Sequence, residues 1–148
     1  MDVKGWEIYV TSPVDINEAI ENATASPDSD KQLEATVARY VQQEGFTVIK
    51  FNTLFYSINP NTGGQNYIGE IDIEVAEAII EVTNQPRKKA GQIGKLITNP
   101  NMNPTGKQVI LYAPNFIVGA GEAVIRVGGV MVRTQLELNR ELHQIRSN

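Results

Sequence analysis

The chain has 148 residues, 41% of them hydrophobic, with no cysteine and a single histidine. This length and composition suit one domain with a buried core, and the lack of cysteine excludes disulfide bonds and thiolate zinc sites. With His143 alone, neither a Ser-His-Asp triad nor a multi-histidine metal site is expected, so any catalysis would depend on carboxylates, lysines and a metal ion.

The net charge of -4 hides an uneven distribution of charge along the sequence. Residues 1–81 contain fourteen acids and four bases, whereas residues 82–121 contain no acid and five bases: Arg87, Lys88, Lys89, Lys95 and Lys107. An acid-free basic stretch after a cluster of carboxylates suits a metal site that binds phosphates. A solvated basic helix face is the alternative interpretation.

The first part of the sequence predicts a strand at 6–10, a short helix at 15–20, a longer helix from Ser29 and a strand at 46–58. Ser29 and Gln32 resemble a capping box, and Gly45 is expected to end the longer helix. That helix has an apolar stripe at helical spacing, made of Leu33, Val37, Tyr40 and Val41. Trp6 and Tyr9 could stack on bases, but we expect them to pack in the core.

Further elements are predicted after an Asn-rich turn at 59–64. The strands are 68–75, 78–83, 108–112, 125–127 and 130–132, and the helices are 86–98 and 134–146. Gly119 and Gly121 are read as turn glycines, and Gly128-Gly129 as a turn between short strands. The sequence thus predicts one α/β domain over 1–148, with a mixed sheet flanked by helices. Its core at about 29–113 has the order αβββαβ, and accessory strands and a helix occupy 122–146.

Acidic residues are concentrated in the two central strands. If strands 68–75 and 78–83 pair antiparallel about Ala76-Glu77, Asp72 and Glu81 become cross-strand neighbours. Two carboxylates about 5 Å apart repel by roughly 3 kcal/mol at an effective dielectric near 20, so the fold should either protonate one of them or hold a cation between them. At neutral pH a divalent ion is the natural answer. Mg²⁺ fits such oxygen ligands. By contrast, three further acids are expected to extend from the sheet into water: Glu70, Glu74 and Glu77.

The segments Glu70-Ile71-Asp72 and Ile79-Ile80-Glu81-Val82, within the order αβββαβ, resemble the PD-(D/E)xK nuclease superfamily. The resemblance implies a restriction-endonuclease-like core in which Asp72 and Glu81 bind Mg²⁺ or Mn²⁺. The family lysine two residues after the Glu is replaced by Thr83. A residue of the helix face Lys88-Gln92-Lys95 would take over the role of that lysine. Lys95, with Gln92 one turn earlier, is the preferred candidate, and Lys88 is the second. Glu34 falls where some members add a carboxylate, and an exposed helical glutamate is the alternative.

Three segments also resemble toxin nuclease domains of contact-dependent growth inhibition systems: 69–72, 78–82 and 109–114. This resemblance implies a metal-dependent endonuclease that hydrolyses phosphodiester bonds of DNA or tRNA and is neutralised by an immunity protein. Such a domain would be delivered as part of a larger bacterial protein and act in the cytoplasm of the target cell. No membrane segment or signal peptide is visible. Flanking phosphates would be held by four basic residues: Arg87, Lys88, Lys89 and Lys107.

Two other functions remain open at this point. A repair nuclease of the Holliday-junction resolvase kind would share the fold and the site. A catalytically inactive nucleic-acid-binding module would have kept the fold and lost the lysine, as Thr83 suggests.

Overall fold

The computed structural model describes residues 7–115 and 118–147, apart from the side chains of Arg87, Lys88 and Val118. Within these residues the strands are β1 Glu7–Thr11, β2 Val48–Ile58, β3 Gln65–Val75, β4 Ala78–Val82, β5 Gln108–Tyr112 and β6 Val130–Val132. The helices are α1 Ile16–Thr24, α2 Ser29–Gln43, α3 Pro86–Thr98, α4 Val118–Arg126 and α5 Gln135–Ser147. The predicted α/β class is confirmed, and the predicted order of helix, three strands, helix and strand runs from α2 to β5.

The six strands form one mixed sheet in the order β1-β2-β3-β4-β5-β6. Neighbouring strands from β1 to β4 are antiparallel, whereas β4, β5 and β6 are parallel. The change of direction follows from the connections, because a tight turn joins β3 to β4 and a whole helix joins β4 to β5. The predicted βαβ unit is therefore present as β4, α3 and β5.

Each face of the sheet carries its own apolar core. One core joins the sheet to α1, α2 and α5 through residues such as Ile20, Val37, Val41, Leu138 and Leu142. The other joins it to α3 and α4 through Ala90, Ile93, Leu96 and Val124. The central strands β4 and β5 send alternate apolar residues to the two cores, which explains why their sequences are almost continuously apolar.

The long helix α2 begins one residue earlier than its capping box predicted. Asp28, not Ser29, is the N-cap, and its carboxylate accepts a 2.9 Å hydrogen bond from the Asp30 N–H. The prediction at the other end is confirmed. Gly45 has φ +91°, and the N–H groups of Gly45 and Phe46 donate to the carbonyls of Gln42 and Val41, which closes the helix.

The predicted strand 125–127 is wrong, because Ile125 and Arg126 form the end of helix α4 and Val127 lies in the turn that follows. Gly119 and Gly121, taken for turn glycines, also lie inside this helix. Gly128 and Gly129 form its C-terminal cap, since their N–H groups donate to the carbonyls of Ile125 and Val124 at 2.9 Å each. The β-branched residues Ile125 and Val127 favoured a strand, but Val124 packs with α3 in the same apolar core, and this tertiary contact favours the helix.

Tyr9 does not pack in the core as expected, because 45% of it is exposed on β1. Trp6, which was expected to pack with it, lies outside the described residues. Among the helices that the structure describes, none combines the length and the apolar character needed to cross a membrane.

Candidate active site

The site begins where β3 and β4 part. Their ladder pairs Glu74 with Ile79 and Ile73 with Ile80, so Asp72 and Glu81 are the next pair. The Asp72 N–H donates to Glu81 Oε2 at 2.8 Å, and the Val82 N–H donates to Asp72 Oδ2 at 2.9 Å. Each carboxylate thus accepts a bond from the opposite strand, and both are about 1% exposed. The predicted convergence of Asp72 and Glu81 is confirmed.

A lysine lies against both of these carboxylates. Lys89 Nζ is 2.8 Å from Asp72 Oδ2 and 3.7 Å from Glu81 Oε1, and it also reaches the Val82 carbonyl at 3.5 Å. Lys89 was predicted to hold flanking phosphates. In the structure its ammonium supplies the positive charge that the sequence led us to expect from a metal ion.

Helix α2 adds a third buried carboxylate from the other side. Glu34 is 4% exposed, which excludes the alternative of a solvated helical glutamate. One carboxylate oxygen from each of Glu34, Glu70 and Asp72 can be chosen so that all three lie within 4.8 Å of one another. Glu81 is not in this group, because its oxygens face the Asp72 N–H and Lys89. Lys31 Nζ borders the group, at 3.4 Å from Glu34 Oε1 and 3.3 Å from Glu70 Oε1.

Three acids of the site have a raised pKa. Burial and the nearby charge of Asp72 raise the pKa of Glu34 to about 8. The same two causes raise the pKa of Glu70, and raise the pKa of Glu81 well above its usual value against the opposing effect of Lys89. Burial is the main cause of these shifts, and the four carboxylates outnumber the two lysines beside them, an arrangement that would favour the uptake of a cation.

Both lysines remain firmly charged. Burial disfavours the ammonium of Lys31, but the charges of Glu34 and Glu70 outweigh it and raise the Lys31 pKa. Burial likewise opposes the charge on Lys89, and Asp72 and Glu81 outweigh it, so the Lys89 pKa is raised. These side chains act as fixed positive charges and hydrogen-bond donors rather than as proton acceptors.

Strand β2 is distorted beside the site. Asn52 has φ +49°, in the left-handed region that non-glycine residues rarely adopt. The neighbouring pairs Phe51–Ile73 and Thr53–Ile71 bracket Asn52 and Asp72, so the distortion lies opposite Asp72. The Asn52 Oδ1 accepts a 3.2 Å hydrogen bond from Lys31 Nζ. The strained residue therefore helps to position Lys31 next to Glu34 and Glu70.

The three acids expected in water are all ion-paired instead. Glu70 pairs with Lys31, and Glu77 pairs with Arg146 at 2.9 Å. Glu74 lies 2.7 Å from Lys107 and 3.5 Å from Lys50. Lys107 was predicted to hold phosphates, but its ammonium also donates to the Val75 carbonyl at 3.0 Å. It fastens the end of β3 rather than standing free for a ligand.

Thr83, at the place of the family lysine, has a structural role. It is 4% exposed, and its hydroxyl accepts a 2.8 Å hydrogen bond from the Gln85 N–H just before α3. Asp30 on α2 holds the same loop, because its Oδ1 accepts bonds from the Asn84 N–H at 3.2 Å and from Asn84 Nδ2 at 2.9 Å. These contacts fix the start of α3, and the start of the helix sets the position of Lys89 beside Asp72 and Glu81.

The predicted residues Gln92 and Lys95 lie one step along α3, beside the carboxylates. Both are exposed and line a cavity of about 100 Å³ together with Tyr67 and Glu70. Among the described residues, no ion-pair partner faces the Lys95 ammonium. The side chains of Arg87 and Lys88 lie outside the described part, so their predicted phosphate contacts stay predictions.

Sequence reasoning missed the position of Lys89, although a signal was available. Lys89, Ile93 and Leu96 follow one another at i, i+4 and i+7, and Ile93 and Leu96 are the buried face of α3. A lysine on that apolar stripe must point toward the sheet and meet whatever acids lie there. Gln92 and Lys95 lie on the adjacent, solvent-facing side of the helix.

The donor set fits a hard divalent cation. Glu34, Glu70 and Asp72 offer oxygen ligands only, and two of the three side chains are almost completely buried. Mg²⁺ and Mn²⁺ prefer such ligands, whereas Zn²⁺ sites more often use sulfur and nitrogen. Burial and the charge of Asp72 raise the pKa of Glu34 even though Lys31 pairs with it, and a bound cation would favour its charged form.

Comparison with known proteins gives no relative from which a role could be transferred: no family model matches the chain, and neither the curated proteins nor the solved structures contain a significant match.

Proposed function

We propose that this protein is a metal-dependent nuclease that hydrolyses phosphodiester bonds, with a restriction-endonuclease-like core. The observation that carries the proposal is the meeting of Glu34, Glu70, Asp72 and Glu81 with Lys89 at the point where β3 and β4 part. This combination of buried carboxylates and one charged donor is what metal-assisted phosphoryl chemistry requires. The resemblance of the motifs around Asp72 and Glu81 to PD-(D/E)xK nucleases supports the same conclusion.

In this proposal Glu34, Glu70 and Asp72 hold Mg²⁺ or Mn²⁺. The bound ion would polarise a phosphoryl oxygen and lower the pKa of a coordinated water. Glu81 holds Asp72 in place, because its carboxylate binds the Asp72 N–H. Lys31 lies between Glu34 and Glu70 and keeps both oriented toward Asp72.

Lys89 takes the work of the family lysine that Thr83 replaces. It reaches Asp72 and Glu81 from α3 rather than from β4, and its charge is permanent at neutral pH. From this position its N–H donors would orient the attacking water or offset charge on the phosphoryl group. Lys95 and Gln92, at the neighbouring cavity, would bind the adjacent phosphate.

The test is a cleavage assay with plasmid DNA, a single-stranded oligonucleotide and tRNA, each with Mg²⁺, with Mn²⁺ and with EDTA. We expect cleavage only with metal. Glu34→Gln and Asp72→Asn should each lower the rate by roughly 100-fold or more, because even outer-shell partners of a metal contribute 10–100-fold. Both substitutions keep the shape of the side chain, so folding should survive.

Glu74→Gln is the matched control. Glu74 is also a buried carboxylate on β3 that pairs with a lysine, but it lies on Lys107 rather than in the site. Its amide variant should cleave at close to the normal rate. Cleavage that persists in EDTA, or in the Asp72→Asn protein, would contradict the proposal.

An inactive nucleic-acid-binding module is the second candidate, and one observation favours it. The Lys89 ammonium already neutralises Asp72 at 2.8 Å, and a lysine in this position could replace a metal permanently. The two functions differ in one measurement. Calorimetric titration with Mn²⁺ should show one site that Glu34→Gln removes if the protein is a nuclease, and no binding if Lys89 has displaced the ion.

The resemblance of 69–72, 78–82 and 109–114 to toxin nuclease domains extends the proposal to a biological role. As a toxin domain, the protein would act on DNA or tRNA in a target cell and be neutralised by an immunity protein. Induced expression inside bacteria should then stop growth, and the Asp72→Asn protein should not. Unimpaired growth with soluble, metal-competent protein would contradict the toxin role and leave the nuclease proposal standing.

A further inference from the structure

Three tyrosines form a row across strands β1, β2 and β3, at the β1 end of the sheet. Tyr9 on β1 is paired with Tyr56 on β2, and Tyr56 is paired with Tyr67 on β3. Their ring centroids are 6.2 Å and 5.7 Å apart. Tyr9 is 45% and Tyr67 60% exposed, and Tyr56 between them is partly buried. The rings therefore stand side by side at the surface and belong to neither apolar core.

The inner end of this row reaches the carboxylate site. Tyr67 lines the same cavity as Glu70, Gln92 and Lys95. Burial, and after it the charges of Glu70 and other nearby groups including Asp72, raises the pKa of the Tyr67 hydroxyl. A polymer bound along the row would reach the cavity that the exposed ammonium of Lys95 shares with the carboxylate of Glu70. An anionic polymer with flat apolar groups matches this sequence of features.

The geometry of the rings favours unpaired bases. The planes of Tyr9 and Tyr56 are tilted by 43°, and those of Tyr56 and Tyr67 by 63°, so the rings do not cover one another. Their spacing of about 6 Å exceeds the 3.4 Å rise per nucleotide within a duplex strand. Successive bases can reach successive rings only if the strand is extended and unstacked.

We propose that Tyr9, Tyr56 and Tyr67 are a stacking platform for single-stranded nucleic acid and lead an unpaired segment to the carboxylates. The substrate of the nuclease would then be a single strand or a loop rather than a duplex. This statement about substrate rests on the proposed function, whereas binding to the platform does not. Aromatic stacking tolerates any base, so DNA and RNA share the chemistry.

Binding can be measured without cleavage in the Asp72→Asn protein with EDTA present. Fluorescence anisotropy would compare labelled oligo-dT, oligo-U and a duplex, each of about 12 nucleotides per strand, a length within the range that such platforms bind. Both single strands should bind more tightly than the duplex. Tyr67→Leu and Tyr9→Leu should each weaken single-strand binding by roughly 5- to 100-fold, as loss of one base stack predicts, and leave duplex binding unchanged.

Tyr40→Leu is the control, because Tyr40 is a tyrosine outside the row: it lies on α2 and packs against the core that the sheet shares with α1, α2 and α5. It should not alter oligonucleotide affinity, and thermal melting of all variants would establish that they fold. If only oligo-dT or only oligo-U binds through the row, the substrate is identified as DNA or RNA.

Three results would overturn the platform: equal or tighter binding of the duplex, leucine variants that keep normal single-strand affinity, or a dimer that the leucine variants dissociate. The last would show that the row is covered by a second copy of the chain. Single-strand binding through the row without any metal-dependent cleavage by the unmutated protein would end the nuclease proposal and leave the platform intact.

Discussion

A single lysine on α3 decides how the site should be understood. Lys95 was predicted to replace the family lysine, but Lys89 makes the contacts with Asp72 and Glu81. A lysine that pairs with buried acids must lie on the apolar face of α3, which it shares with Ile93 and Leu96. Lys95 lies on the exposed face, and a catalytic role for it stays a prediction.

Replacing Lys89 by methionine should affect stability and activity together. The change keeps most of the side-chain length but leaves Asp72 and Glu81 without their cation, and breaking a buried ion pair typically costs 3–5 kcal/mol. We expect the free energy of unfolding in EDTA to fall by about 3 kcal/mol, and cleavage with saturating Mg²⁺ to fall by roughly 100-fold. Urea denaturation and initial rates measure the two effects.

Lys95→Met is the comparison for this prediction. Its ammonium is exposed and lacks an ion-pair partner among the described residues, so stability should change by no more than about 0.5 kcal/mol. A Lys89→Met protein as stable as the unmutated chain in EDTA would show that the ion pair contributes nothing to folding.

Among the secondary-structure elements, sequence patterns worked best where local and tertiary preferences agree. Helix α3 and strand β5 were predicted with the boundaries that they have, because Pro86 fits a first helical turn and 108–112 is continuously apolar. Helix α4 was missed because its glycines and β-branched residues argue locally against a helix. Its buried face is small, consisting of Ala120 and Val124. That face predicts a helix only once α3 is known to pack against it.

The contact among α3, α4 and β6 should be intolerant of even one added methyl group at Gly129. A Cβ at this position would lie 2.7 Å from Ile93 Cγ2 and 2.8 Å from Val124 Cγ1. Gly129→Ala should therefore destabilise the protein by about 1–3 kcal/mol through overpacking. Thermal or urea denaturation would measure the change.

Gly91→Ala should have the opposite sign. Gly91 lies on the exposed side of α3, and a Cβ there would meet nothing within 4 Å. Alanine should stabilise the helix by about 1 kcal/mol. If Gly129→Ala stabilised the protein as Gly91→Ala is expected to, the close packing inferred at Gly129 would be wrong.

At the scale of the whole molecule, the segregated charges of the sequence meet across the fold. Acids from α2, β3 and β4 face lysines from α2 and α3, and burial together with the charge of Asp72 raises the pKa of Glu34. The sequence identified the two strands that carry Asp72 and Glu81. The resemblance also indicated Glu34, but the residue pattern could not show that Glu34 meets Glu70 and Asp72, because that depends on how α2 crosses the sheet.

The raised pKa of Glu34 predicts how the stability of the metal-free protein responds to pH. Glu34 has a pKa of about 8 when folded and an ordinary value of 4.5, so between these values the native state holds a proton that the unfolded chain releases. Stability should therefore fall as pH rises from about 5 to 8, by at most about 1.4 kcal/mol per pH unit from this group.

Urea denaturation in EDTA at several pH values would measure this dependence. Subtracting the Glu34→Gln profile isolates the contribution of Glu34, since glutamine does not titrate. The difference should shrink when Mg²⁺ is added, because the ion binds the deprotonated carboxylate. If the unmutated protein instead gained stability relative to the Glu34→Gln protein as pH rises in EDTA, the raised pKa would be contradicted.

The hydrogen bonds between the backbone of β3 and β4 and the acids Asp72 and Glu81 bear on how such a site would age in evolution. Both side chains satisfy N–H groups inside the sheet, so folding alone would retain them after any loss of chemistry. Among the described residues, no backbone N–H depends on Glu34. If the proposed metal site were lost in a lineage, folding would not require Glu34 in this way, and we expect it to be replaced sooner than Asp72 or Glu81.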